Sequence, residues 1–440
     1  MNRLRSLALA ALVATLLGIG LPVARGRTQD AATPAAAGGV PMFRGDPART
    51  GRHPGPGPEG APVELWRVAL GGQVFSSPAV VDGVVYLGSG LRRSDSDETG
   101  FVHAVDAATG TERWRLEVGA PVVSSPAVAD GLVYVGSGRG RGALHALDAA
   151  TGVESWRYDT AGEANSSPVV IDGTFYVGSQ AELAGPPGPK SGYIHAVDAA
   201  TGAPRWRLLV GDEHESSVDA VDSSPAVVDG VLYVGIDQSG MYAVEATTGT
   251  ERWHFRPGDG IFAAPAVVGG VVYAGRLDGT FYAVDAATGA ERWRAPLGDA
   301  IVASAVVVDD NVYVGSERTG PDGIIAEGVL HALDAVTGRE RWQLPVGAAI
   351  LSSAAWVDGV LYVGSAAGIA PDGTGGTGAL HAVDAATGVE RWRFDVGPVF
   401  SSPAVVGGAA YVAGIDGVLH AIGGSGAGAP PAPLPRPPRL

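Results

Sequence analysis

The phrase HAVDAATGTERW at 103–114 returns as HALDAATGVESW at 145–156 and again, little changed, at 195–206, 331–342 and 381–392. Tyrosine replaces the histidine in two further copies, at 242–253 and 282–293. In all seven copies an acid precedes a tryptophan by eight residues: Asp106, Asp148, Asp198, Glu245, Asp285, Asp334 and Asp384 before Trp114, Trp156, Trp206, Trp253, Trp293, Trp342 and Trp392. An eighth tryptophan, Trp66, stands in VELWRVAL ahead of the first full copy. From Trp66 to Trp392 there are seven intervals of about 47 residues, the size of a four-stranded propeller blade. A helical repeat is excluded locally, because the segments are short, β-branched and punctuated by Asp-Gly and Thr-Gly.

One repeat reads as a blade. SSPAVVDG gives a first strand and tight turn, VVYLGS a second strand, FVHAVDAATG a third strand and its turn, and ERWRLEV a fourth. The proline after each serine pair fits a strand start on the inner edge, where its missing N–H breaks no ladder bond. The last repeat, Ser401 to Ile422, supplies only three strands, with Gly423 where the acid should stand. The missing fourth strand is available at Glu64–Leu70. The sequence therefore predicts an all-β, eight-bladed β-propeller of four-stranded antiparallel blades, the ring closed by an N-terminal strand that completes the last blade and so removes the free edges. The acids are expected to accept turn N–H groups, and the tryptophans to lie against the next blade.

The pattern Ala104, Asp106, Thr109, Gly110, Trp114 and its copies resembles the tryptophan-docking motif of the pyrroloquinoline quinone (PQQ) repeat family, over roughly residues 64–422. MFRGDPARTG at 42–51 is similar to a lead-in of secreted proteins of that kind. The resemblance implies the propeller fold. It leaves activity open, because the family holds PQQ-dependent alcohol and glucose dehydrogenases beside non-catalytic BamB-like propellers.

Composition narrows the choice. The net charge of −16 argues against nucleic acid as a partner. The absence of cysteine removes disulfides, thiolate metal sites, cysteine nucleophiles, a lipid-bearing N-terminal cysteine and the CxxCH of a haem attachment. Arg3 and Arg5, an apolar run from Leu7 to about Leu21 and Ala24-Arg25-Gly26 read as an export signal over 1–26, too short for a membrane span. Residues 27–60 read as a linker, 61–422 as the propeller and 423–440 as a disordered Gly/Pro-rich tail. A secreted or extracytoplasmic monomer, without a membrane span once the signal is removed, is expected.

In a meander blade the turns after the first and third strands share one face, and here they are short and uniform. The other face carries the varied connections 91–100, 180–192, 317–328, 366–378 and 211–223, so recognition is placed there. Candidate ligand-binding residues are Glu213, His214, Asp219 and Asp222 of the acidic connection, and Trp356, the one tryptophan off the ladder. Asp237, Asp278 and Asp416 read as turn residues. The recurring histidines (His103, His145, His195, His331, His381, His420) read as packing groups with a polar tip, and the serine pairs as hydroxyls that ring the channel and satisfy the inner strand edge. No serine stands in a nucleophile elbow with an acid–base pair. The expected function is a non-catalytic scaffold or a module binding an extracytoplasmic protein or small ligand, with no catalytic residue, metal site or cofactor. The alternatives are a PQQ- and calcium-dependent dehydrogenase of alcohols or sugars, and a carbohydrate or cell-wall binding module.

Overall fold

The computed structural model describes residues 39–426 except 95–96, 140, 161, 183–189, 212–219, 259, 320–324 and 370–374; the candidates Glu213, His214 and Asp219 therefore lie outside the described residues. Its thirty-two strands form eight four-stranded antiparallel sheets. Blade one is Ala79–Val81, Val84–Ser94, Asp97–Asp106 and Glu112–Glu117, and the next six repeat it in order. Burial follows from position. Middle strands such as Val231–Ile236 are buried throughout, which suits an uninterrupted run like VLYVGI. Outer strands such as Glu112–Glu117 alternate between exposed and half-buried residues, as ERWRLE does.

The tight turns after the first strand place Asp82 at φ 48° and Gly83 at φ 72°, a pattern repeated at Asp130, Asp172, Asp229 and Asp358, while in blade six Asp309 alone is left-handed at φ 51°. Turns with two consecutive left-handed residues favour Asp-Gly or Gly-Gly, hence Gly269-Gly270 and Gly407-Gly408 in the two remaining blades.

Blade eight contains Ala404–Val406, Ala409–Ala413 and Val418–Gly424 from one end of the chain and Pro62–Ala69 from the other. Trp66 stands opposite Ala421 as Trp114 stands opposite Ala104, and His420 Nδ1 meets Glu64 Oε1 at 2.8 Å across the seam. The sheet runs to Gly424, two residues into the segment read as tail.

The tryptophans bind blade to blade. Seven indoles, Trp66 through Trp342 on the ladder, donate to an alanine carbonyl of the next blade at 2.8–3.1 Å. Each of these rings lies so close on the glycine of the next Thr-Gly turn that a Cβ on Gly110 would come 2.7 Å from Trp66. In six of the seams a second-strand tyrosine hydroxyl donates to the same carbonyl, as Tyr86 and Trp114 both do to Ala149. Asp106, Asp148, Asp198, Asp285, Asp334 and Asp384 hold that turn by accepting the threonine amide and hydroxyl. Glu245, a methylene longer, reaches Arg252 at 2.5 Å instead.

Two sequence readings change. The connections at 91–100, 180–192 and 317–328 are not loops alone: pairing continues to Ser94, Glu182 and Thr319, so the hairpins stand out as arms. The segment read as linker to residue 60 is, from Gly39 onward, part of the ring. Its main chain runs along the inner strands around the channel. Val40 pairs with Val80, Pro41 and Pro47 accept the Val128 and Val227 amides, and Thr50 and Gly51 accept those of Val307 and Trp356. His53 Nδ1 accepts the Val405 amide at 3.1 Å. Composition alone misread this stretch because most of its cohesion comes from main-chain bonds and two arginines, with Val40, Met42 and Phe43 as its few buried apolar anchors.

Candidate functional site

The channel is sealed at the uniform-turn end. Arg49, the largest fully buried side chain, donates to the carbonyls of Phe43, Ser167, Pro168 and Pro225. Arg44 donates to those of Ala354 and Ala305 across the axis. Burial pushes both guanidiniums down to about 9, with Asp46 opposing, so they remain charged at neutral pH. Trp356 belongs to this end, with the Arg52 guanidinium 5.0 Å from its ring centre.

One step toward the variable face is a ring of serines. The amide of Ser77 donates to Ser125 Oγ, Ser125 to Ser167, Ser167 to Ser224, Ala264 to Ser304, Ser304 to Ser353, Ser353 to Ser402, and Ser402 back to Ser77, at 2.7–3.2 Å. The ring is interrupted where Ala264 has no hydroxyl to offer Ser224. The preceding serine of each pair accepts an amide of its own second strand, as Ser76 does from Gly88 at 2.9 Å. Each of these hydroxyls thus has at least one acceptor position committed to an inner-edge amide.

Above the serines is the mouth. The position just before each pair is Phe75, Val123, Asn165, Asp222, Phe262, Val302, Leu351 and Phe400 in blades one to eight. Phe75, Val123, Phe262, Leu351 and Phe400 are half-exposed, and Phe75 meets Phe400 edge-on at 5.7 Å. The one polar notch lies between blades three and four. Asp222, 1% exposed, accepts Gln180 Nε2 at 2.5 Å, and Asn165 donates to Glu163 at 3.1 Å. Asn165 Oδ1 and Asp222 Oδ1 are buried without a hydrogen-bond partner. Burial, reinforced by the Glu163 charge, pushes the Asp222 carboxyl up to about 7 against the hydrogen bonds from Gln180, Asp237 and Asn165. Asp222 is thus a proton-sharing group at neutral pH, and Asp237 belongs to the notch. Asp278 and Asp416 do act as turn residues, accepting the amides two residues on. The three phenylalanines at the rim escaped the sequence reading, although each stands immediately before the small-residue pair that opens its blade.

The position four residues after the second-strand tyrosine is Gln180 in blade three, Asp237 in blade four and Glu317 in blade six. Glu317 is fully buried, and the Ile350 amide faces its carboxylate outside ordinary hydrogen-bond geometry. Burial pushes it up to about 8, with only the Ile350 amide opposing. The folded protein keeps this proton up to about pH 8, whereas the unfolded chain releases it near the ordinary carboxylate value. Stability tied to Glu317 is therefore present at acid pH and lost as pH rises through that window. Glu317→Gln is expected to stabilise the protein by about 2–3 kcal/mol at pH 8.5 and by little at pH 4, read from urea midpoints at the two pH values. Equal effects at both would refute the assignment.

The histidines form relays that the sequence reading missed. Ser89 Oγ, His103 and Glu112 are linked at 2.8 and 2.9 Å. The same chain recurs in Ser137–His145–Glu154, Ser316–His331–Glu340 and Ser365–His381–Glu390. This is the connectivity of a hydrolase triad. However, the four serines are at most 2% exposed and the arrangement repeats blade after blade, so it ties the second, third and fourth strands together. Burial lowers His103, His145 and His331, which sit neutral between hydroxyl and carboxylate. The exceptions have a cause in the sequence: Pro204 stands where Glu would face His195, and Gly414 where Ser would face His420, leaving one buried ring nitrogen of each unpartnered. Ser137→Ala is expected to cost about 1–2 kcal/mol, seen as a lower thermal midpoint, without abolishing the fold.

The family model for outer membrane protein assembly factor BamB matches residues 190–356 and 326–426, more than half of the chain. The chain belongs to that family. No curated protein matches it significantly. Among solved structures, this BamB-family propeller is similar to BamB from Moraxella catarrhalis (18% identity, covering 84% of this chain and 99% of that one, TM-score 0.61). It is similar also to quinohemoprotein alcohol dehydrogenases from Pseudomonas putida (20%, 93% and 84%, TM-score 0.69) and Comamonas testosteroni (20%, 99% and 86%, TM-score 0.69). At such identities these likenesses establish the fold.

PQQ, which the dehydrogenase neighbours raise, is a flat tricarboxylate. The described mouth of this BamB-family propeller answers it poorly. Its polar notch is acidic, and Arg276, which replaces the relay serine in blade five, is engaged by Pro257 O, Tyr282 Oη and Asp278 at 3.1–3.2 Å. Among the described residues, no three His, Cys, Asp or Glu side chains are grouped to hold a metal.

Proposed function

We propose that this chain is an exported, non-catalytic binding propeller that receives its ligand or protein partner at the variable-loop mouth. The observation that carries the reading is the blind funnel. One end is sealed by residues 40–53, the walls are serines already committed to inner-strand amides, and the remaining opening presents half-exposed Phe75, Phe262, Leu351 and Phe400 around a single polar notch. An apolar rim with a few convergent polar groups is the make-up of a recognition site. Asn165 Oδ1 and Asp222 Oδ1, buried acceptors without a partner, would become available to N–H or O–H donors of a bound group once the notch opens. Export rests on the signal-like residues 1–26. The phenylalanines at the rim favour, as a second reading, the carbohydrate-binding variant, since sugar rings pack on aromatic faces.

The test separates these from the dehydrogenase. With PQQ and calcium the protein is expected to show no thermal stabilisation and no dye reduction with alcohols or aldoses. Turnover would overturn the proposal. A photo-crosslinker at position 75 or 400 is expected to capture extracytoplasmic partners, and one at position 83 on the sealed face is not. Stabilisation by an oligosaccharide that is lost in Phe400→Ala would select the second reading.

A further inference from the structure

The seam between blades seven and eight differs from the other seven. Trp392 and Tyr362 occupy the positions whose indole in the seven other seams, and hydroxyl in six of them, donate to the alanine carbonyl of the next blade. Here blade eight continues as Gly423-Gly424 into the closing strand pair and has no Ala-Thr-Gly turn. Among the described residues, neither Trp392 Nε1 nor Tyr362 Oη has an acceptor. A cavity of about 390 Å³ remains, walled by Val360, Tyr362 and Trp392, with Pro58, Glu59, Asp358 and Arg391 also lining it, Arg391 being held by Asp384 at 2.6 Å. It lies on the uniform-turn face, away from the funnel.

Beyond Gly424 the chain leaves the sheet at the edge of this cavity. The Ser425 amide donates to Ala61 O at 2.8 Å and the Gly426 amide to Glu59 O at 3.4 Å, and Glu59 is itself a wall residue. Residues 427–440, AGAPPAPLPRPPRL, contain six prolines, two arginines and no acid. Such a composition favours polyproline II, which makes no internal hydrogen bonds and presents every carbonyl outward. Segments of this kind dock on aromatic-lined grooves. Acceptors and apolar rings are what the two donors and the aromatic wall lack, and because Arg391 is engaged by Asp384, the carboxylates of Glu59 and Asp358 leave the lining with an anionic surplus.

We propose that residues 427–440 bind this cavity in cis, a proline carbonyl taking the place of the missing alanine carbonyl and Arg436 or Arg439 facing Glu59 and Asp358. The segment then completes the eighth blade-to-blade seat.

The chain has no cysteine, so Ala432→Cys gives a single labelling site in the full-length protein. A bimane there reports contact with tryptophan by quenching. Its emission is expected to be at least two-fold lower than in the same labelled chain carrying Trp392→Phe, and unaltered by Trp342→Phe. Arg436→Glu with Arg439→Glu is expected to restore emission while leaving the ring untouched, which keeps the test decisive if Trp392→Phe folds poorly. Emission indifferent to both changes would overturn the proposal. So would quenching that disappears on dilution, which would assign the cavity to a second copy of the chain.

Discussion

Replacing Arg49 with methionine is expected to destabilise the protein by about 3–5 kcal/mol, against under about 1 kcal/mol for Arg52→Met. Methionine keeps the apolar stem of Arg49 but removes every donor from the carbonyls of Phe43, Ser167, Pro168 and Pro225, in a site closed to water. Buried acceptors left without partners cost far more than the bonds themselves contribute. Arg52 is exposed and its loss surrenders a cation–π contact with Trp356. Urea midpoints at constant slope measure both. Trypsin should also cut the Arg49→Met protein within 39–57 before the ring is digested. An Arg49→Met midpoint near that of the parent, with residues 39–57 still protected, would show that the arginines are passengers and that main-chain bonds alone hold the seal.

The second large effect is a difference between two tryptophans of the same ladder. Trp114→Ala removes a ring packed on Gly152 and an indole bonded to Ala149 at 3.0 Å, and is expected to cost about 3–5 kcal/mol. Trp392→Ala removes a ring that borders an existing cavity and has no carbonyl to lose, and is expected to cost about 1–2 kcal/mol. Thermal or urea midpoints decide. Equal losses would mean that the seam between blades seven and eight is as well filled as the others.

The fold was legible because it is periodic. Eight tryptophans at regular spacing count the blades, and the last repeat, lacking its acid and tryptophan, points to Glu64–Leu70 as its complement; the observed pairing of Pro62–Ala69 with Val418–Gly424 agrees. The site was legible only where it departs from the repeat by charge. Asp222 was singled out and lies at the mouth, whereas Trp356, singled out by rarity, lies at the sealed end under Arg52. The seal itself was hidden, since its sequence is rich in Gly, Pro and Arg and its partners are peptide carbonyls, which no side-chain pattern announces. The relays were hidden for a different reason. The glutamate lies nine residues beyond its histidine, inside the phrase that defines the repeat, and its role shows only when three strands are laid side by side.

The ring closure and the seal share a property that concerns time. Glu64 pairs with a histidine 356 positions later, and residues 40–53 touch blades from the first to the eighth. A ribosome delivers these residues before any blade is complete, yet the partners of Pro62–Ala69 and of His53 are delivered last. Until then Pro62–Ala69 is a lone strand carrying Trp66 and the exposed Val63 and Leu65, the kind of edge that recruits other chains. Closing the ring is therefore a post-translational event, and an interrupted synthesis product carries the waiting strand without its partner. Yield on refolding should fall steeply with concentration, since the slow long-range step competes with association of those waiting strands.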